Sequence, residues 1–186
     1  VDRAAGHLVP LALFDGHGLA REHGFGDGAA ALGDGAVDRD LVTRADADVV
    51  IGAEFFDGDI LLTADSTVVM GEVTLNKPAD AKEAAEMLRQ ISGRMHTVYT
   101  GVCLMNMKSK KVFTGISDVY FDTFSKEEIQ FYIEQYQPFD KAGSYAIQEW
   151  IGLCKSYRIE GTFSNIMGLP VHQVYRELKA LISDKR

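Results

Sequence analysis

Apolar and β-branched residues fill Leu61–Val69, interrupted only by Asp65 and Ser66, and this short bounded run predicts a strand. Lys77-Pro78 then halts the chain. Asp80 and Glu83 form a D-x-x-E signal, in which Asp80 caps the free N–H groups of a helix start. Ala81, Ala84, Ala85, Leu88 and Ile91 follow at helical spacing and make one apolar face, which Gly93 ends. Two further strands, Thr97–Met107 and Lys111–Phe121, flank Lys108-Ser109-Lys110 and predict a hairpin. Ser125 and Glu128 form a capping box that opens a helix through about Tyr136, with Ile129, Tyr132 and Ile133 inward and Pro138 beyond its end. A glycine-marked stretch, Lys141–Gly152, leads into another helix. A short strand near Tyr157–Phe163 precedes a last helix that starts at Pro170 and runs to about Ile182.

Strands and helices alternating around one hairpin predict a mixed-sheet α/β domain, and 186 residues suit a single domain, 1–186. Composition divides that domain. Residues 1–60 hold 12 acidic and 4 basic side chains, and the remainder holds 15 of each. Residues 1–60 also carry 10 of the 18 glycines and contain no Ser, Lys, Asn, Gln, Tyr, Met or Cys. Three readings fit this seam: a Gly/Ala/Asp-rich tail, a divergent part of the same domain, or a stretch read in another frame. A net charge of −8 argues against non-specific nucleic-acid binding. No apolar run reaches the ~20 residues of a membrane span, and the first residues lack the pattern of a signal peptide. Two cysteines, Cys103 and Cys154, fit neither a metal knuckle nor a disulfide framework. A reducing, cytoplasmic location is the expectation.

Three islands carry candidate chemistry. The first is Ala64–Val69 with Lys77-Pro78. A carboxylate inside an apolar strand is costly unless something pairs with it. Asp65 could hold a divalent cation or act as a general base, and Lys77 could neutralise phosphate oxygens. A buried Asp–Lys ion pair tying strand to helix is the better account on the residues alone. The second island, Ser92–Gly101, offers Arg94 and Thr100 to an anion and includes His96. A helix stop followed by an ordinary strand explains it better. The third, Asp140–Gln148, mixes charge, hydroxyls and an amide as small polar ligands require. There Lys141 is a candidate cation, and Gln148 could read a base edge through its paired donor and acceptor. A capped turn stands level with that reading. No phosphate loop, dinucleotide fingerprint, nucleophile elbow or H-e-x-x-H zinc motif occurs.

Taken together, ADSTVV (64–69), NKP (76–78), MLRQISGRMHTVYTGV (87–102), FDKAGSYAIQ (139–148) and IEGTFSNIMGLP (159–170) resemble the Maf family of nucleotide pyrophosphatases, named for effects on septum formation. The likeness covers about two-thirds of the chain, and its specificity lies in five islands recurring in order at matching separations. The resemblance implies a fold related to the inosine triphosphatases, with a cleft between two lobes. It implies hydrolysis of a nucleoside triphosphate to the monophosphate and pyrophosphate, aided by Mg²⁺ or Mn²⁺, and a homodimer. It makes Asp65 the catalytic carboxylate and metal ligand, and Lys77 a phosphate contact. Ser66 and Gln148 fall at the positions tied to substrate choice, and Gln148 matches the branch acting on dTTP and UTP. The family more often has Thr at position 66; Ser66 keeps the hydroxyl.

The departure is N-terminal. The family opens with Ser-x-Ser-Pro-Arg-Arg at a helix start, where phosphate binds. Here Leu11–His17 is the nearest counterpart, Arg39 falls near an expected acidic position, and no lysine precedes Lys77. A catalytically weak nucleotide-binding or regulatory protein linked to cell division is the alternative expectation.

Overall fold

The computed structural model describes residues 59–183. The glycine cluster Gly24–Gly28, the counterpart stretch Leu11–His17 and Arg39 lie outside the described residues. Five strands form one sheet: β1 (Leu61–Met70), β2 (Val73–Leu75), β3 (Met95–Met105), β4 (Lys110–Phe121) and β5 (Ser156–Glu160). Their order is β2-β1-β3-β4-β5. Five α-helices accompany them among the described residues: α1 (Ala81–Ile91), α2 (Lys126–Tyr136), α3 (Trp150–Lys155), α4 (Phe163–Ile166) and α5 (Val171–Ser183).

The α/β expectation holds, but among the described residues every pairing is antiparallel rather than mixed. The reason lies in the connections. Gly71 turns β1 back into β2, and α1 then returns the chain to the other side of β1 running against it. The β3–β4 hairpin follows, but its turn sits earlier than Lys108-Ser109-Lys110. Asn106 Oδ1 accepts from the backbone N–H groups of Lys108 and Ser109, at 2.9 and 2.8 Å, so an Asx turn ends β3 at Met105.

Local capping decides the helix starts. Asp80 Oδ1 accepts from Glu83 N at 2.8 Å, and Glu83 Oε2 reaches back to Ala79 N at 2.7 Å. Ser125 and Glu128 complete a reciprocal box at the start of α2. The buried face of α1 is Ala84, Met87, Leu88 and Ile91; Ala81 is exposed, because it lies in the first turn ahead of the sheet. On α2 the inward residues are Ile129, Tyr132 and Ile133, as their spacing predicts.

One sheet face carries the core, in two apolar clusters. Val68, Val98, Val119 and Phe121 pack against α1, α2 and α3. Farther along the same face, Val102 and Leu104 pack with Val174 of α5, supported by Leu62 and Phe113. Between these clusters β1, β3 and β4 present Ser66, Thr100 and Gly115, which are in register. This polar belt is where α4 crosses. On the opposite face Met95 and Ile116 are exposed, and Thr97 donates to Asp118 Oδ1 at 2.6 Å.

Candidate functional site

Successive residues of a strand point to opposite faces. Asp65 and Ser66 therefore diverge, although the sequence shows them as one island. Asp65 is exposed, and its Oδ1 accepts from Ser66 N at 2.9 Å. It pairs across the ladder with Gly101, which puts no side chain beside the carboxylate. No ion pair joins Asp65 to Lys77 among the described residues, so the strand-to-helix tie is absent. Solvent removes the need for it, because the carboxylate is exposed.

Ser66 is half-buried on the covered face, and its Oγ lies 2.7 Å from Thr100 Oγ1. Thr100 is fully buried and donates to the Asn165 carbonyl at 3.0 Å. Asn165, 1% exposed, holds α4 against the sheet. Its Nδ2 donates to Val98 O at 3.2 Å and to Ser117 Oγ at 3.0 Å. Ser117 Oγ in turn donates to Thr162 O and accepts from Thr162 N. Gly115 makes this crossing possible, since a Cβ there would lie 2.2 Å from Asn165 Oδ1 and 2.7 Å from Pro170 Cβ. The sequence reading missed Asn165. The signal available was a polar residue amid the apolar positions of island 159–170, which also hid the short helix α4.

Lys77 is exposed, two residues past Leu75, and Leu75 pairs with Val68. The chain around it is pinned by Gly143 N donating to Asn76 O at 3.2 Å. That contact brings the third island to β1. Gly143 takes φ +70, and a Cβ there would sit 3.1 Å from Val68 Cγ1, so only glycine seats this turn on the strand. Ser144 follows at φ +61. Four side-chain contacts hold the strained pair in place. Ser144 Oγ donates to Met87 Sδ at 3.3 Å, Tyr145 OH meets His96 Nε2 at 2.7 Å, Tyr132 OH accepts from Ala146 N at 3.1 Å, and Tyr132 OH donates to Glu149 Oε2.

Lys141 lies 2.8 Å from Asp140 Oδ1 and 3.7 Å from Glu149 Oε1. The Lys141 hydrogen bond holds the Asp140 carboxyl below the usual carboxylate range, with the charge of Lys77 adding to it. The two lysines thus share one electrostatic neighbourhood, next to a shallow recess lined by Pro78, Ala79, Phe139 and Lys141. Gln148 is exposed at the end of the same loop. His96 is fully buried, and burial holds its pKa down to about 4. It is neutral at pH 7 and supports the loop structurally. Arg94 is exposed just before β3, six residues short of Gly101 from the strand's first position, or about 20 Å along it.

A single exposed carboxylate suits a Mg²⁺- or Mn²⁺-type cation held chiefly by substrate phosphates and water. Among the described residues no cluster of three or more His, Cys, Asp or Glu could hold a metal by itself. Neither Cys103 nor Cys154 forms a disulfide, and no described helix is long and apolar enough to cross a membrane.

The family model for Maf-like proteins matches residues 36–181. The chain belongs to the Maf-like family. Its Maf-like relatives include the dTTP/UTP pyrophosphatase of Bacteroides thetaiotaomicron, 53% identical over 107 residues, which are 58% of this chain and 55% of the relative. The dTTP/UTP pyrophosphatase of Porphyromonas gingivalis is 53% identical over 112 residues, 60% of this chain and 56% of the relative. That of Christiangramia forsetii is 45% identical over 109 residues, 59% and 56% respectively. The Maf-like chain thus spans about half the length of the curated relatives it matches.

Proposed function

We propose that this chain hydrolyses a nucleoside triphosphate of the dTTP/UTP class to the monophosphate and pyrophosphate. The observation that supports this best is that β1, which bears the exposed carboxylate Asp65 and the hydroxyl of Ser66, receives the segment before Lys77 through Val68 and Leu75 and the turn after Lys141 through Gly143 against Val68. The names of the similar proteins point to the same reaction.

The chemistry assigns each residue a role. Asp65 orients water and accepts its proton as the oxygen attacks the α-phosphorus; the bond to the bridging oxygen breaks, and pyrophosphate leaves. An unobstructed carboxylate beside Gly101 leaves room for that water. Lys77 stabilises the charge that gathers on the phosphates, and Lys141, already paired with Asp140, contributes a weaker field. Ser66 and Gln148 face the base. Asp65 is also the residue that would hold a divalent cation, which when bound neutralises phosphate charge. Arg94 is proposed as no more than a peripheral cation. A single domain over 1–186, a cleft between two lobes, a homodimer and a cytoplasmic site of action belong to the same proposal.

No Ser-x-Ser-Pro-Arg-Arg string occurs in the 186 residues, and this favours a second reading, a nucleotide-binding protein with weak catalysis. Hydrolysis of UTP in ¹⁸O-water separates the two. The proposal expects the label in UMP and none in pyrophosphate. Label in pyrophosphate, release of orthophosphate with UDP, or binding without turnover would each remove it.

A further inference from the structure

The hydroxyl of Ser66 has a fixed direction, set by a relay that ends on a group unable to donate. The Asn165 carbonyl accepts from Gly168 N at 2.9 Å and from Thr100 Oγ1 at 3.0 Å. A carbonyl offers only lone pairs, so the single proton of Thr100 is committed to it. Thr100 Oγ1 can then meet Ser66 Oγ, at 2.7 Å, only as an acceptor. The proton of Ser66 is committed in its turn, and what Ser66 Oγ presents elsewhere is lone pairs alone. Ser66 is half-buried rather than enclosed, and a Cβ added at Gly168 would meet no heavy atom within 4 Å but Ser66 Oγ, at 3.8 Å. Thr100 is fully buried and Asn165 nearly so, which shields the relay from water that would otherwise scramble its direction.

We propose that Thr100, anchored on the Asn165 carbonyl, is a positioning residue for base specificity, making Ser66 an acceptor-only reader that favours a pyrimidine carrying a ring N–H. Uracil and thymine carry a donor at that ring position, and cytosine carries a bare acceptor nitrogen. With Ser66 Oγ facing that ring nitrogen, two acceptors would repel, so cytosine is discriminated against without any steric difference. The inference rests on the nucleotide reading above and adds to it the residue that gives the selecting hydroxyl its polarity.

The test is calorimetric binding of UMP and CMP to the full chain, alongside UTP turnover. The wild type is expected to prefer UMP by about tenfold or more, the value of one matched against one repelling hydrogen bond. Thr100→Val keeps the side-chain shape and leaves Gly168 N on the Asn165 carbonyl, but frees the Ser66 proton; the preference should collapse toward unity. Thr100→Ser should restore it. Ser66→Ala should lose it too, and carries the test if Thr100→Val does not fold. An unchanged UMP/CMP ratio in the folded variants, or a wild type that binds both equally or neither, overturns the relay. UTP turnover with equal binding of UMP and CMP would leave the pyrophosphatase standing without the relay. The preference without turnover would leave the relay standing without the pyrophosphatase.

Discussion

Asn165 and Gly115 should be energetically coupled, and a double-mutant cycle measures how strongly. Asn165→Ala removes two donations, to Val98 O and Ser117 Oγ, from a residue 1% exposed. Ser117 Oγ keeps its hydrogen bond from Thr162 N, so each lost donation is worth about 0.5–1.5 kcal/mol rather than a full desolvation penalty. Asn165 Oδ1, however, is itself buried without a partner, so its removal offsets part of that loss. The net expectation is a destabilisation of about 1–2 kcal/mol. Gly115→Ala forces a methyl to within 2.2 Å of Asn165 Oδ1 and 2.7 Å of Pro170 Cβ. Overpacking of this kind costs about 1–3 kcal/mol. With alanine at 165 the closer clash disappears, while the one with Pro170 persists. The double variant should therefore lose less than the two single losses combined, by about 1 kcal/mol or more. Urea unfolding followed by the fluorescence of Trp150, the single tryptophan, gives the four stabilities if the denaturant slope stays constant. Additivity within about 0.5 kcal/mol would refute the claim that Gly115 is there to admit Asn165.

The remaining predictions concern the loop and the cations. Burial lowers the pKa of His96 from 6.5 to about 4, so on acidification the unfolded chain takes up a proton that the native state refuses. Stability from this group is complete above pH 6.5 and is lost as pH falls toward 4, by up to about 3 kcal/mol; His96→Gln should flatten that part of the stability profile, and an unaltered slope would contradict it. Gly143→Ala places a methyl against Val68 at φ +70 and should cost about 1–2 kcal/mol, read as a lower melting temperature; an unchanged midpoint would mean the turn is not seated as described. Lys77→Ala should reduce kcat/KM for UTP about tenfold or more through lost phosphate stabilisation, and Lys141→Ala should reduce it less, because Asp140 and Glu149 already engage that ammonium. The reverse order would reassign the two cations.

What the sequence disclosed follows from the range of each interaction. The starts of α1 and α2 were legible because Asp80 and Ser125 bond to backbone three residues away. The inward face of α2 was legible because its period is local. The three-residue strand β2 escaped notice, since Val73–Leu75 is too short to show alternation. The strand expected near Tyr157–Phe163 ends at Glu160, and Phe163 opens α4 instead, because Thr162 caps it through Asn165 N. Asp65 was read as a burial problem; its exposure depends on which sheet face the helices cover, and no window of sequence contains that. The same holds for the belt, where Thr100 and Asn165 are 65 positions apart. The five islands disclosed the Maf-like family by their order, while the divergence of Asp65 from Ser66 and the distance of Arg94 from both came only with the ladder register.

The central claim is that a strand bearing Asp65 and Ser66, with Lys77 beside it, hydrolyses a nucleoside triphosphate to pyrophosphate. The most direct measurement is the rate of pyrophosphate release from dTTP and UTP, with Mg²⁺ or Mn²⁺, by the intact chain and by Asp65→Asn. The account predicts turnover by the wild type and a loss of at least about a hundredfold in the variant, the lower range expected for removing a general base, with the fold intact because Asp65 is exposed. A folded wild-type protein that binds these nucleotides and releases no pyrophosphate, or an Asp65→Asn variant as fast as its parent, would contradict it.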